Sequence, residues 1–250
     1  MIELRALTEG RQFHEALELQ KTVWGFNDVE LLPVRLFVVA TKGGGQAFGA
    51  YDGNAMVGFL LAIPGLKPSL KPGGGSYLHS HMLGVLAEYR NKGVGRMLKL
   101  RQREDALGRG IGLIEWTFDP LELKNAFFNM ERLGAIVRRY VENQYGTTTS
   151  PLHGGLPTDR CVAEWWLASP HAEAVLARRA PARHIEERVE VPADIDVMRR
   201  EEPRRAREIQ KSLGARLASG FDRGLAVIGF ERSERVGAYL LGRWECGSNA

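Results

Sequence analysis

The stretch from Leu83 to Arg96 constrains the fold more than any other part of the chain. Tyr77 to Leu86 is apolar enough for a central strand, and Val94 to about Leu107 reads as a helix, with Arg90-Asn91-Lys92-Gly93-Val94-Gly95 between them. A glycine-bearing turn between a strand and a helix start points several backbone N–H groups in one direction. The helix dipole adds partial positive charge there, and Arg90, Lys92 and Arg96 add full charges. Such a turn is built to hold a phosphate or pyrophosphate. Gly93 and Gly95 are predicted to let the backbone approach the ligand and to tolerate positive φ. No Gly-Lys-Ser or Gly-Lys-Thr follows, so this is not a P-loop, and it is not a Gly-x-Gly-x-x-Gly opening a first βαβ unit.

The bulk of the chain limits the alternatives. Its 250 residues suffice for one large domain or a domain with an extension, and 44% hydrophobic with 26% charged residues is ordinary for a globular protein. No apolar run approaches the roughly 20 residues that cross a membrane. Met1 to Leu7 alternates like a strand rather than a signal peptide. A cytoplasmic location without a membrane partner is the expectation. The net charge is +4, and the basic residues are spread out except over Arg199 to Arg207, where acids interleave. That balance suits an anionic ligand and argues against nucleic acid. Cys161 and Cys246 make neither a disulfide framework nor a metal site.

In chain order, Ile2–Leu7 is predicted as a strand and Arg11–Val23 as an amphipathic helix. Val34–Ala40 reads as a short helix or an extended segment. Gln46–Tyr51 and Ala55–Ile63 form a hairpin around Asp52-Gly53-Asn54, and Pro64–Gly75 reads as a loop. After the central strand and its helix come a strand over 112–117, a helix over 121–133, and strands over 135–141 and 161–167. Beyond residue 168 a helical linker over 170–183 leads to a strand over 185–191, an amphipathic charged stretch over 199–217, and a hairpin of 225–231 with 235–242.

Val85 followed by Arg90-x-x-Gly93-x-Gly95 and a helix resembles the acyl-CoA pyrophosphate loop of the GNAT N-acetyltransferase superfamily. The element order through about residue 168 is similar to that fold. The resemblance implies an α/β (α+β) architecture, a mixed and mostly antiparallel sheet flanked by helices. It also implies acetyl-CoA as cofactor, no metal, and a small-molecule or peptide amine as acceptor, with a homodimer left open. Residues 1–168 would form the acetyltransferase domain. Residues 169–250 would be a β-α-β-β extension, either a degenerate half-repeat of the N-terminal quarter or a convergent hairpin pattern. Trp116-Thr117-Phe118-Asp119-Pro120-Leu121 and Gly155-Leu156-Pro157-Thr158-Asp159-Arg160, with Glu164-Trp165, are similar to a GNAT-like subfamily with such an extension.

By the same resemblance, Leu83 and Val85 line the acyl arm, and Arg90, Asn91, Lys92, Gly93, Val94, Gly95 and Arg96 hold the pyrophosphate. Asn125 and Asn129, four apart on a helix, would bond the pantetheine amides. Trp24, with Phe26 and Leu31, would wall the acceptor pocket, although a core role suits Trp24 equally. Amine acetylation needs a base, and His79-Ser80-His81 supplies two imidazoles that strand alternation places on one face. The spacing resembles that of the serotonin (arylalkylamine) N-acetyltransferases. Met130-Glu131-Arg132-Leu133-Gly134 stands where the superfamily often carries Tyr-Glu-Lys-Leu-Gly, so the usual general acid is missing. Three readings stand: the thiolate leaves unaided, Tyr140 or Tyr145 supplies the proton, or the chain binds acyl-CoA without turning it over.

Overall fold

The computed structural model describes residues 1–25, 30–70, 75–146 and 156–245. Phe26, Gly155 and Cys246, which the sequence singles out, lie outside the described residues. The chain divides into two compact units, Met1–Glu115 and Trp116–Ala250. This is a partition by packing, whereas the 1–168 boundary is one of family resemblance.

The first unit opens with β1 (Ile2–Ala6), α1 (Gly10–Trp24) and α2 (Val34–Lys42), followed by β2 (Gln46–Asp52) and β3 (Ala55–Lys67). It continues with β4 (Gly75–Val85), α3 (Val94–Gly108) and the start of β5 (Leu113–Phe118). Helix α1 begins in a capping box, where the Gln12 side chain accepts the Glu9 N–H at 3.0 Å, and it ends at Gly25 in the left-handed region. Its buried face is Phe13, Ala16, Leu19 and Gln20. Val34–Lys42 is a helix, which settles the ambiguity of that segment.

Strands β1, β2, β3 and β4 pair in sequence order, all antiparallel. Strand β3 runs on to Lys67, four residues past its predicted end, and pairs with β4 down to Lys67↔Gly75. Much of the predicted loop is therefore hairpin. Pro64 is tolerated because β2 stops at Gln46↔Ala62, so beyond that point the missing N–H of proline costs no bond to β2. Strand β4 also pairs in parallel with β5 through Leu78↔Ile114 and His79↔Glu115, and among the described residues the ladder goes no further.

One irregularity in β4 matters most. Leu61 pairs with Met82 and Ala62 with Ser80, leaving His81 as an extra residue, a β-bulge. Upstream, His79 pairs with Ile63, which packs with the α1–α2 core of Phe13, Phe37 and Phe59. Ser80 faces the other way, accepting a bond from Lys99 of α3 at 2.8 Å. Downstream, Met82 joins the α1–α2 core, and Gly84 sits where a Cβ would meet the Trp24 ring at 2.8 Å. Leu83 and Val85 face the first turn of α3, both within 4.0 Å of a Cβ built on Gly95.

The second unit holds the rest of β5, α4 (Leu123–Phe127), β6 (Ile136–Val141), β7 (Arg160–Trp166) and α5 (Pro170–Leu176). Strand β8 (Glu187–Pro192), α6 (Ile195–Glu201), α7 (Pro203–Asp222), β9 (Ala226–Arg232) and β10 (Val236–Gly242) complete it. Its strands pair antiparallel in the order β7-β6-β9-β10-β8. Helix α4 passes into a π-helix over Phe128–Leu133, and α5 stops at Leu176, short of the predicted 183. The charged stretch is two helices broken at Glu202, because Pro203 starts α7 and the residue before a proline avoids the helical region. Element order from β8 to β10 matches that from β1 to β3. The pairing does not: β1 joins the first hairpin strand, whereas β8 joins the second.

Candidate active site

In the first unit, the chain leaves β4 at Val85 and passes through a helical turn, Ala87–Tyr89, to reach α3. Asn91 (φ 61°) and Gly93 (φ 85°) are both left-handed, so the backbone curls to turn successive N–H groups inward. Gly93 is the residue before α3, and a Cβ there would touch nothing within 4 Å, so the space beside the turn is open. Of the two glycines, Gly93 uses its freedom to take positive φ, while Gly95 lies within the first turn of α3. Asn91 takes the second left-handed position, as asparagine does more readily than most residues. Val94 is buried and anchors the helix start, while Asn91, Lys92 and Gly93 are exposed. The intrahelical ladder of α3 begins where the Met97 amide donates to the Gly93 carbonyl at 2.9 Å, and the first turn carries no acidic residue. The Arg90 Nε donates to the Val85 carbonyl at 3.2 Å, tying the turn to the strand end. Lys92 lies 5.4 Å from the Tyr89 ring centroid, and Tyr89 donates to Asp52 at 2.9 Å.

On the opposite face of β4, the rings of His79 and His81 lie 5.7 Å apart, so the two imidazoles come together as the alternation requires. The bulge separates them from Leu83 and Val85, which a regular strand would have put on the same face. Burial lowers His79 to about 4, helped by the nearby His81 and opposed by Glu115. Burial lowers His81 as well. Both are therefore neutral at pH 7, with a lone pair ready to accept a proton. Trp24 caps the end of α1, stacks edge-on against Phe59 with centroids 6.0 Å apart, and closes over Gly84. That contact gives it a packing role.

The second unit holds the remaining candidates. Asn125 is exposed and Asn129 only 3% exposed, so the pair does not share an environment. The switch from α to π geometry at Phe128 falls between them. The Asn129 Nδ2 is buried and has no hydrogen-bond partner among the described residues. Met130 is fully buried in the core. Tyr140 donates to Asp159 at 2.6 Å, and burial with that bond raises its hydroxyl far above the ordinary range. It is no proton donor for catalysis. Tyr145 is exposed, its hydroxyl 2.9 Å from Thr117. Cys161 is fully buried and its thiol is pushed up by burial, so it is not an acyl-carrying thiolate.

Sequence reasoning missed Glu115 and Lys67. Glu115 is 4% exposed and ion-paired with Lys67. Its register partner is His79. The available signal was a lone carboxylate in the apolar run Leu113-Ile114-Glu115-Trp116.

A positive-φ turn thus opens α3, following a bulged strand that carries paired imidazoles. Residues 12–134 match the model of the acetyltransferase (GNAT) family. Among solved structures, Arabidopsis thaliana NAA60 with a bisubstrate analogue is similar at 15% identity and a TM-score of 0.55, covering 66% of this chain and 98% of that one. Chaetomium thermophilum Naa20 with a bisubstrate analogue gives 15% identity and 0.51, covering 73% and 92%. The Escherichia coli ribosomal-protein-S18-alanine N-acetyltransferase gives 15% and 0.50, covering 66% and 92%. At these identities the likeness is one of fold. None of the curated proteins matches the chain. The match places a GNAT acetyltransferase domain within residues 12–134.

Proposed function

We propose that the protein transfers an acetyl group from acetyl-CoA directly to a primary amine, in a ternary complex. Acetyl-CoA would supply the activated thioester. The turn from Arg90 to Arg96 would hold the pyrophosphate through its backbone amides and three cations, with Leu83 and Val85 along the acyl arm. By the family resemblance alone, Asn125 and Asn129 would bond the pantetheine amides. Trp24 remains a candidate for the acceptor wall through the edge of its ring. His79 or His81 would take the proton from the acceptor ammonium, directly or through water, leaving a neutral nucleophile.

The observation that carries this reading is the left-handed pair Asn91 and Gly93 opening α3 beside an unfilled space. Met130 in place of a tyrosine favours an unassisted thiolate departure, or one served by Tyr145. It also keeps alive a non-catalytic CoA-binding role, as a sensor or assembly partner. Two measurements separate these readings. Acetyl-CoA and CoA should raise the melting temperature, because they bind the folded state alone. Thiol release from acetyl-CoA should then depend on an added amine. Stabilisation without thiol release across a broad amine panel selects the binding role, and no stabilisation by either ligand refutes the phosphate turn.

A further inference from the structure

The imidazole face of β4 carries a group that the proposed reaction has not yet used. Glu115 lies almost wholly buried in β5, and a carboxylate at that depth costs several kcal/mol of desolvation unless it is compensated. An apolar residue of similar volume would serve the core at least as well. Compensation comes from Lys67, near the far end of β3, which pairs with Glu115 and passes 5.9 Å from the Tyr77 ring centroid. Lys67, Tyr77 and His79 follow the same alternation, since the register pairs are Ile63↔His79, Gly65↔Tyr77 and Lys67↔Gly75. Three strands thus contribute an ammonium, a carboxylate and an imidazole to one sheet face.

The register fixes the relation between the last two. His79↔Glu115 is the final rung of the parallel ladder between β4 and β5. Directly paired residues stand side by side on the same face, close enough to interact. The charged and titratable groups that bear on His79 are few. His81 on its own strand and Lys99 from α3 disfavour the imidazolium, while Glu115 favours it. Lys67 acts through Glu115 as its counter-ion.

We propose that Glu115 is a positioning residue for amine deprotonation: it orients the His79 ring and steadies the imidazolium, and Lys67 sets how much of that charge His79 feels. The inference rests on the reading of His79 as base. In this step the acceptor ammonium gives its proton to a His79 ring nitrogen, leaving a neutral amine and an imidazolium that returns the proton to solvent. Protonation adds one positive charge to a face where Lys67 and Glu115 already offset each other, and Glu115 is the group there that favours it.

The test uses the full-length protein and two variants that push in opposite directions. Glu115→Gln removes the negative charge, so the His79 titration midpoint, read from its ring C–H resonance, should fall by about half a pH unit or more. Lys67→Met exposes that charge, so the midpoint should rise. The acid limb of the rate profile should follow each shift, with the affinity for acetyl-CoA unchanged. If Glu115→Gln does not fold, Lys67→Met carries the test alone through its upward shift. A midpoint that moves in neither folded variant overturns the proposal and leaves Glu115 as the structural counter-ion of Lys67. Midpoints that move while the rate profile stays fixed overturn His79 as base, and with it the catalytic role of Glu115, without touching the CoA assignment.

Discussion

Two stretches of this protein share an element order and part company in what they do with it. From β1 to β3 and again from β8 to β10, the chain runs strand, two helices, then a hairpin. The first stretch adds its leading strand beside the first hairpin strand. That leaves β3 free to pair with β4, the bulged strand that leads into the glycine turn. The second adds its leading strand beside the second hairpin strand, and β10 becomes an interior strand between β9 and β8. The same local instructions thus build a platform for a site in one case and a closed run of strands in the other. Pairing partner, rather than element order, decides whether a stretch can be extended into function.

The sharpest way to break this comparison is a valine at one glycine in the turn that the first stretch supports and at one glycine inside the second stretch. Gly93→Val forces a β-branched residue into φ 85° where no atom crowds it. We expect CoA affinity to fall by at least about 100-fold with little change in melting temperature, since the turn and not the core is distorted. Calorimetric titration showing retained affinity would remove the phosphate assignment. Gly237→Val places a Cβ 2.7 Å from the Phe230 ring and 3.1 Å from Leu123. It should destabilise the fold strongly, through overpacking in the second unit.

Next in size is Arg199. It is 6% exposed and bonds Asp119 at 2.7 Å and Glu122 at 2.9 Å. Arg199→Ala removes a buried guanidinium that two carboxylates share and should cost about 3 kcal/mol of unfolding free energy in denaturant titration. CoA affinity of the surviving folded fraction should not change, because this residue belongs to the core of the second unit. Replacing both His79 and His81 with alanine should do the reverse. Turnover should drop by about 100-fold while the melting temperature at pH 7 holds, and an unaltered rate would remove both as bases.

A smaller effect concerns acid stability, and each unit contributes one histidine. His79 in the first and His171 in the second are each lowered by burial from 6.5 to about 4. The unfolded chain then binds protons that the folded chain refuses. Stability is full above pH 6.5 and is lost as the pH falls towards 4. Melting curves across that range should show the loss, and His79→Ala should flatten part of it. The smallest effect is Lys92→Ala. This exposed cation leans on the Tyr89 ring and should weaken CoA binding only a few-fold, more at low salt than at high.

Much of the first unit was legible because its signals are local. Turn chemistry at Asp52-Gly53-Asn54, apolar spacing along α1 and the glycines before α3 each act within a few residues. The bulge at His81 was not legible, because it is a relation between β4 and β3 that no alternation within β4 records. For the same reason alternation alone does not tell that Leu83 and Val85 lie on the face opposite the two histidines. The long hairpin was missed at Pro64, whose local preference is overridden once β2 has ended. The π-helix that separates Asn125 from Asn129 leaves no periodic trace in six residues. Glu115 was visible as an anomaly, but its meaning needed the register that seats it beside His79.

The single extra residue at His81 works like a frameshift in the reading of side chains. Upstream of it, odd-numbered positions look towards α1 and α2; downstream, even-numbered ones do. Insertion or deletion of one residue there would rewrite every later assignment in the strand while leaving composition almost untouched. A lineage could therefore exchange the side chains that face α3 for those that face the α1–α2 core in one step. For that reason, sequence comparisons among distant members of such a family should be aligned on the bulge before any position in β4 is compared.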